Sequence, residues 1–139
     1  MAASEAAPPT ASAAGGASSA PPLQPGLYLV GTPIGNLEDI TLRALRVLRT
    51  ASCILAEDTR RTRILLERHG ITTPLISCHK FNERAREEEI LRRIHEGQAL
   101  ALVTDAGMPG ISDPGARAAS AVRRAGACVT VIPGPCALT

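Results

Sequence analysis

From Gly26 onward, short apolar runs alternate with segments whose apolar residues recur at helical spacing. Leu27–Val30 is the first apolar run and breaks at Gly31-Thr-Pro-Ile-Gly35. A helix is predicted from about Asp39, with Ile40, Leu42, Leu45, Val47 and Leu48 as its apolar stripe. Ser52–Ala56 is a second strand, ending in Glu57-Asp58-Thr59, where Thr59 is placed to cap a helix running to about His69 and stopped by Gly70. Leu75–Cys78 is a third strand. Asn82 is then expected to cap a helix through about His95, with Gly97 beyond its end and Glu88/Arg92 and Glu89/Arg93 as i,i+4 pairs on a solvated face. Ala99–Thr104 is a fourth strand, followed by a long glycine-proline turn and a helix to about Ala125, and Ala127–Ile132 a fifth. Five strands joined by helices predict an α/β fold with a mainly parallel five-stranded sheet flanked by helices.

In such a sheet the turns after the strands share the carboxyl edge, where open α/β folds bind ligands. Three of them, residues 31–38, 105–113 and 133–137, are glycine-proline turns, and a fourth, Glu57–Arg60, carries charge. The longest, Asp105–Gly115, contains Asp113-Pro114, an N-cap followed by proline at the first helical position. Phosphate cradles need consecutive free N–H groups, as in G-x-x-x-x-G-K-[ST] or G-x-G-x-x-G, and neither pattern occurs. Pro109 and Pro114 remove donors from the loop, and Asp105 and Asp113 flank it with negative charge. The loop suits a neutral or cationic ligand. As a lone feature it is equally well an ordinary turn; the convergence of three on one edge makes a cleft.

Composition narrows the partners. A net charge of +2 does not by itself imply nucleic acid, and all the positive side chains but Lys80 are arginine. Tyr28 and Phe81 are the only aromatic residues, so no base-stacking platform is available. Cys53, Cys78, Cys128 and Cys136 show no C-x-x-C pair and no metal-ligand spacing; Cys53 and Cys128 read as small core residues in a reducing compartment. Residues 1–25 are rich in alanine, serine and proline, with no lysine or arginine and no leucine-rich stretch, which reads as a disordered tail rather than a signal or transit peptide. No run reaches membrane-spanning length. The chain stops two residues after its last turn, which predicts that 26–139 is an α/β domain cut short before a second one.

Leu29–Leu37, Ala56–Arg60, Asp105–Gly115 and Pro133–Ala137, in that order, resemble the ribosomal RNA small subunit methyltransferase I family, within the tetrapyrrole-methylase-like (class III) methyltransferases. The resemblance covers roughly residues 26–139. It implies a cytoplasmic, S-adenosylmethionine-dependent enzyme that methylates a cytidine 2′-hydroxyl in the decoding region of 16S rRNA. It also implies a homodimer of two-domain subunits, with the cofactor between the domains, no metal and no membrane. By that resemblance Pro33, Ile34, Ala106, Gly107, Met108, Ile111, Cys136 and Ala137 line the cofactor. The usual pattern has threonine at the position of Met108, so only backbone contacts carry over there.

Methyl transfer to a hydroxyl requires in-line alignment and removal of one proton. Glu57, Asp58 and Asp105, all at strand ends, are the candidate bases, with helix capping or an internal ion pair as the competing role for each. Arg60 is a candidate for an RNA phosphate, with His79 and Asn82 behind it. The Arg60, Arg61, Arg63 and Arg68 cluster reads equally as an RNA contact or a solvated helix face. Cys136 has no charged neighbour in sequence to activate it as a nucleophile. Two other functions stand beside the first: a small-molecule methylase of the tetrapyrrole type, against which Glu57–Arg60 argues, and a non-catalytic binding fragment. With half the cleft missing, weak or no turnover is expected of this chain alone.

Overall fold

A computed structural model describes residues 22–32, 37–79, 82–104 and 115–134. Five strands, β1 (Gly26–Gly31), β2 (Cys53–Ala56), β3 (Leu75–Ser77), β4 (Ala99–Thr104) and β5 (Val129–Ile132), form one sheet in the order β3-β2-β4-β1-β5. Every pairing is parallel, with Gly26–Gly31 registered against Ala99–Thr104 and Leu27–Val30 against Val129–Ile132. Helices α1 (Leu42–Thr50), α2 (Thr59–Arg68), α3 (Glu83–His95) and α4 (Gly115–Arg124) connect them.

Both faces of the sheet are covered, which is why its strands read as continuous apolar runs. Tyr28, Val30, Ile54, Ala56, Ala101 and Val103 pack with Ala44, Leu45, Val47 and Leu48 of α1 and Leu65 and Leu66 of α2. The alternate positions, Leu27, Leu29, Cys53, Leu55, Leu100 and Leu102, pack with Ile90 and Ile94 of α3 and Ala118, Ala119 and Val122 of α4. The strand period of two thus sorts one apolar run into two cores. Gly26 opens β1 at φ +152°, and a Cβ there would lie 2.8 Å from the Cys128 carbonyl oxygen, so the close approach of β1 to the start of β5 requires glycine.

Several local expectations are corrected. The first helix begins at Leu42 behind a 3-10 turn at Leu37–Asp39, because the Thr41 hydroxyl accepts from Ala44 N–H at 3.1 Å and fixes the start there. Leu42, in the first turn, is then 84% exposed instead of lying in the core stripe. Asp58, not Thr59, caps α2: its Oδ1 accepts from the backbone N–H of Arg60 at 3.0 Å and Arg61 at 3.4 Å. Asn82 occupies the N-cap position of α3 but makes no side-chain capping bond. β5 begins at Val129, so Cys128 precedes the strand and is exposed, while Cys53 and Cys78 are buried. Arg92 pairs with Glu96 at 3.6 Å rather than with Glu88. The tail reading of 1–25 falls, for residues 1–21, outside the described residues.

Candidate active site

The carboxyl ends of the strands follow one another along one edge as Ser77, Ala56, Thr104, Gly31 and Ile132. The chain leaves β1 toward α1 on one face and leaves β4 toward α4 on the other. These two strands are neighbours, with Gly31 level with Thr104. Adjacent strands whose connections part to opposite faces open a crevice, the switch point at which doubly wound sheets bind ligands. It lies between the ends of these two strands, at Gly31 and Thr104. The remaining strand ends flank it: β2 stands one strand beyond β4, about 5 Å away, and β5 one strand beyond β1.

Thr32 is buried, 5% exposed, directly after β1 and at the mouth of the crevice. It is not among the residues predicted from the sequence, which start at Pro33 and Ile34; its signal is a hydroxyl between a strand and a proline. Thr32, with Gly31 on one side and Pro133 and Gly134 after β5, gives the described part of this wall no charged side chain. Pro33, Ile34, Asp105, Ala106, Gly107, Met108, Ile111, Cys136 and Ala137 lie outside the described residues.

Charge enters on the β2 side. Glu57 is exposed at the end of β2 and makes no hydrogen bond or ion pair among the described residues. Asp58 is half-buried, and its Oδ1 is occupied by the two N–H bonds that start α2. Its carbonyl also accepts from the Thr62 N–H at 3.3 Å and hydroxyl at 3.2 Å. The helix-cap role is therefore the one the geometry gives Asp58. Arg60 is 93% exposed, with its Nε 3.9 Å from the Asp58 carboxylate, a contact worth little in solvent.

His79 and Asn82 are brought together, but three strands from β1, about 14 Å along the edge. The Asn82 Oδ1 accepts from His79 N–H at 2.8 Å, and its Nδ2 donates to the Ser77 hydroxyl at 3.3 Å. Asn82 thus closes the turn between β3 and α3. Below it runs a chain of ionic bonds along α3. Arg86 Nε donates to the Ser77 carbonyl at 2.7 Å and Arg86 Nη1 to Glu89 Oε1 at 2.7 Å. Arg93 Nε donates to Glu89 Oε2 at 3.0 Å and Arg93 Nη1 to Gln98 Oε1 at 3.3 Å. Partial burial raises the Glu89 pKa, but the Arg86 and Arg93 hydrogen bonds and charges outweigh it, and the carboxyl sits below its ordinary value. Burial pushes the Cys53 thiol up, which makes it an inert core residue. No group of three or more His, Cys, Asp or Glu side chains suited to a metal occurs among the described residues. None of the described helices is long and apolar enough to cross a membrane.

Comparison with known proteins agrees with this geometry. Residues 26–139 match the family of tetrapyrrole (corrin/porphyrin) methylases. Ribosomal RNA small subunit methyltransferase I of Thermotoga maritima is 54% identical over 113 residues, 81% of this chain and 51% of that protein. The protein of the same name from Xylella fastidiosa is 53% identical over 112 residues, 81% of this chain and 41% of that protein. The chain thus spans about half, or less, of the length of these curated relatives. Among solved structures, a uroporphyrin-III-C-methyltransferase from Thermus thermophilus superposes with a TM-score of 0.63 at 30% identity, covering 78% of this chain and 47% of that one. A sheet of this order with its crevice between β1 and β4, and a match from the first residue of β1 to the end of the chain, place the protein in the tetrapyrrole methylase family.

Proposed function

We propose that this chain is one α/β domain of an S-adenosylmethionine-dependent methyltransferase acting on the 2′-hydroxyl of a cytidine in the decoding region of 16S rRNA. The observation that carries the reading is the crevice between β1 and β4, whose described wall, Gly31, Thr32, Pro133 and Gly134, is uncharged. Such a wall suits a nucleoside and an amino-acid chain held by shape and backbone hydrogen bonds. RNA is favoured over a macrocycle because the rRNA methyltransferases are 53–54% identical to this chain and the uroporphyrin enzyme 30%.

When bound, the cofactor supplies an electrophilic methyl on a sulfonium sulfur. Pro33, Ile34, Ala106, Gly107, Ile111, Cys136 and Ala137 would hold it, with Met108 contributing backbone. The protein's work is to align the ribose oxygen with that methyl and to accept one proton as the carbon–oxygen bond forms and the carbon–sulfur bond breaks. Glu57 is the base the described geometry favours, and Asp105 is the other candidate. Arg60 contacts an RNA phosphate near Glu57. The complete enzyme is a cytoplasmic homodimer whose second domain closes the cleft. The test is methyl transfer from labelled S-adenosylmethionine by the full-length enzyme, offered small ribosomal subunits in one arm and a uroporphyrinogen in the other. Label in 16S rRNA is expected; label only in the macrocycle would overturn the reading.

A further inference from the structure

Charge is divided unequally between the two helical layers. Helices α3 and α4 contain seven arginines and four acidic residues. Helices α1 and α2 contain seven arginines against one acid. Within α1 the only charged residues are Arg43, Arg46 and Arg49.

Their placement separates structural arginines from available ones. Arg49 Nη2 donates to the His69 carbonyl at 3.0 Å, and Arg68 pairs with Glu38 at 3.8 Å, so both are engaged at the far end of their helices. Arg43, Arg46 and Arg63 are exposed and have no ion-pair partner among the described residues. Arg60 has only its long contact to Asp58. Arg43/Arg46 and Arg60/Arg63 are each i,i+3 pairs, so each pair shares one helix face. Both helices start at the carboxyl edge of the sheet, α1 after β1 and α2 after β2, and both add the partial positive charge of their N-terminal turns there. Arg84, Arg123 and Arg124 on the other layer are likewise exposed and without an ion-pair partner among the described residues, but Arg84 starts α3 after β3, three strands from β1, and Arg123 and Arg124 end α4 toward the opposite edge of the sheet. The available cations nearest the crevice therefore lie on the layer that borders its β1 and β2 side.

We propose that the outer face of α1 and α2, through Arg43, Arg46 and Arg63 together with Arg60, is the docking surface for the phosphate backbone of RNA flanking the target nucleotide. This rests on the RNA reading above and extends it from one arginine to a surface. Exposed arginine without a carboxylate partner is suited to phosphate, and phosphate contacts position the nucleic acid without reading its sequence.

The experiment uses the full-length enzyme and a 16S rRNA fragment, with affinity measured across a salt series. The Arg43→Gln/Arg46→Gln/Arg63→Gln variant is compared with Arg84→Gln/Arg123→Gln/Arg124→Gln, which removes the same number of exposed arginines from the opposite layer. Each lost phosphate contact lowers the slope of log K against log salt by about 0.7–0.9, so the first variant, with three contacts removed, is expected to lose about 2–3 from the slope. Its KM for RNA rises at least tenfold, while kcat at saturating RNA, cofactor affinity and Tm stay within twofold or a few degrees of the parent. The second variant leaves the slope unchanged. A parent that methylates RNA while both variants keep its slope overturns the surface and leaves the enzyme reading standing. So does a first variant whose only change is in subunit association, which would make the face a contact between copies. A parent that neither binds nor methylates RNA overturns both.

Discussion

Asp58 and Glu57 are adjacent acids with different work, and the difference follows from their positions relative to the start of α2. Asp58 sits in extended backbone at the N-cap of α2, where its carboxylate reaches two N–H groups. Glu57 is one residue earlier, still at the end of β2, and points no bond into the helix. Asp58→Ala should destabilise the protein by about 1 kcal/mol in denaturant unfolding with methyl transfer retained in folded enzyme. Glu57→Gln should leave Tm in place and lower kcat about 100-fold in the full-length enzyme. Glu89 gives a pH dependence of definite sign. Its folded carboxyl binds a proton less tightly than an ordinary one, because Arg86 and Arg93 outweigh the effect of burial. The stabilisation is therefore complete above the unfolded value of about 4.3, and is lost as pH falls through the lowered folded value. Thermal melts from about pH 7 down to about pH 3 should show a fall in Tm that is smaller in Glu89→Gln than in the parent. The sequence showed the Glu89/Arg93 spacing; it did not show Arg86 closing the same carboxylate from the other side, which depends on the turn held by Asn82.

At the scale of the element, apolar period and glycine punctuation located all five strands and four helices, because each strand is buried on both faces and each helix on one. The ends were less legible. Thr41 and Thr59 are both good caps by composition, and only the observed bonds show that the first caps α1 while Asp58 takes the second helix. Placing the helix start at Asp39 put Leu42 into the core; starting it at Leu42 turns that side chain outward. β1 is the element on which the site depends, since it pairs with both β4 and β5 and ends at the crevice. Gly26→Ala should therefore do more than strain one residue. Its Cβ would press on the Cys128 carbonyl and part β5 from β1. We expect a loss of at least 1 kcal/mol in unfolding and earlier hydrogen exchange at Leu27, whose N–H donates to the Cys128 carbonyl at 3.0 Å.

For the whole molecule, the strand order could not be read from the chain, because α/β patterns of this length fit several orders and local signals do not say which strands are neighbours. The observed order decides where the crevice is, and so separates the candidate residues by distance from it. Glu57 and Arg60 belong to the strand next to β4, whereas His79 and Asn82 are at the far edge. The charge asymmetry was hidden for the same reason: α1 and α2 share a layer only once the crossovers are known, so Arg43 and Arg46 were not grouped with Arg60 and Arg63. The chain alone should bind S-adenosylmethionine at least 10-fold more weakly than the full-length enzyme in calorimetry, since the proposed cleft is shared with a second domain. Ribose methylation of RNA at this crevice can be read from alkaline hydrolysis of 16S rRNA labelled by the full-length enzyme. A 2′-O-methyl group blocks attack on the adjacent phosphate, so the label is expected in one alkali-stable dinucleotide containing cytidine. Label recovered in ordinary mononucleotides, as from a methylated base, would contradict it.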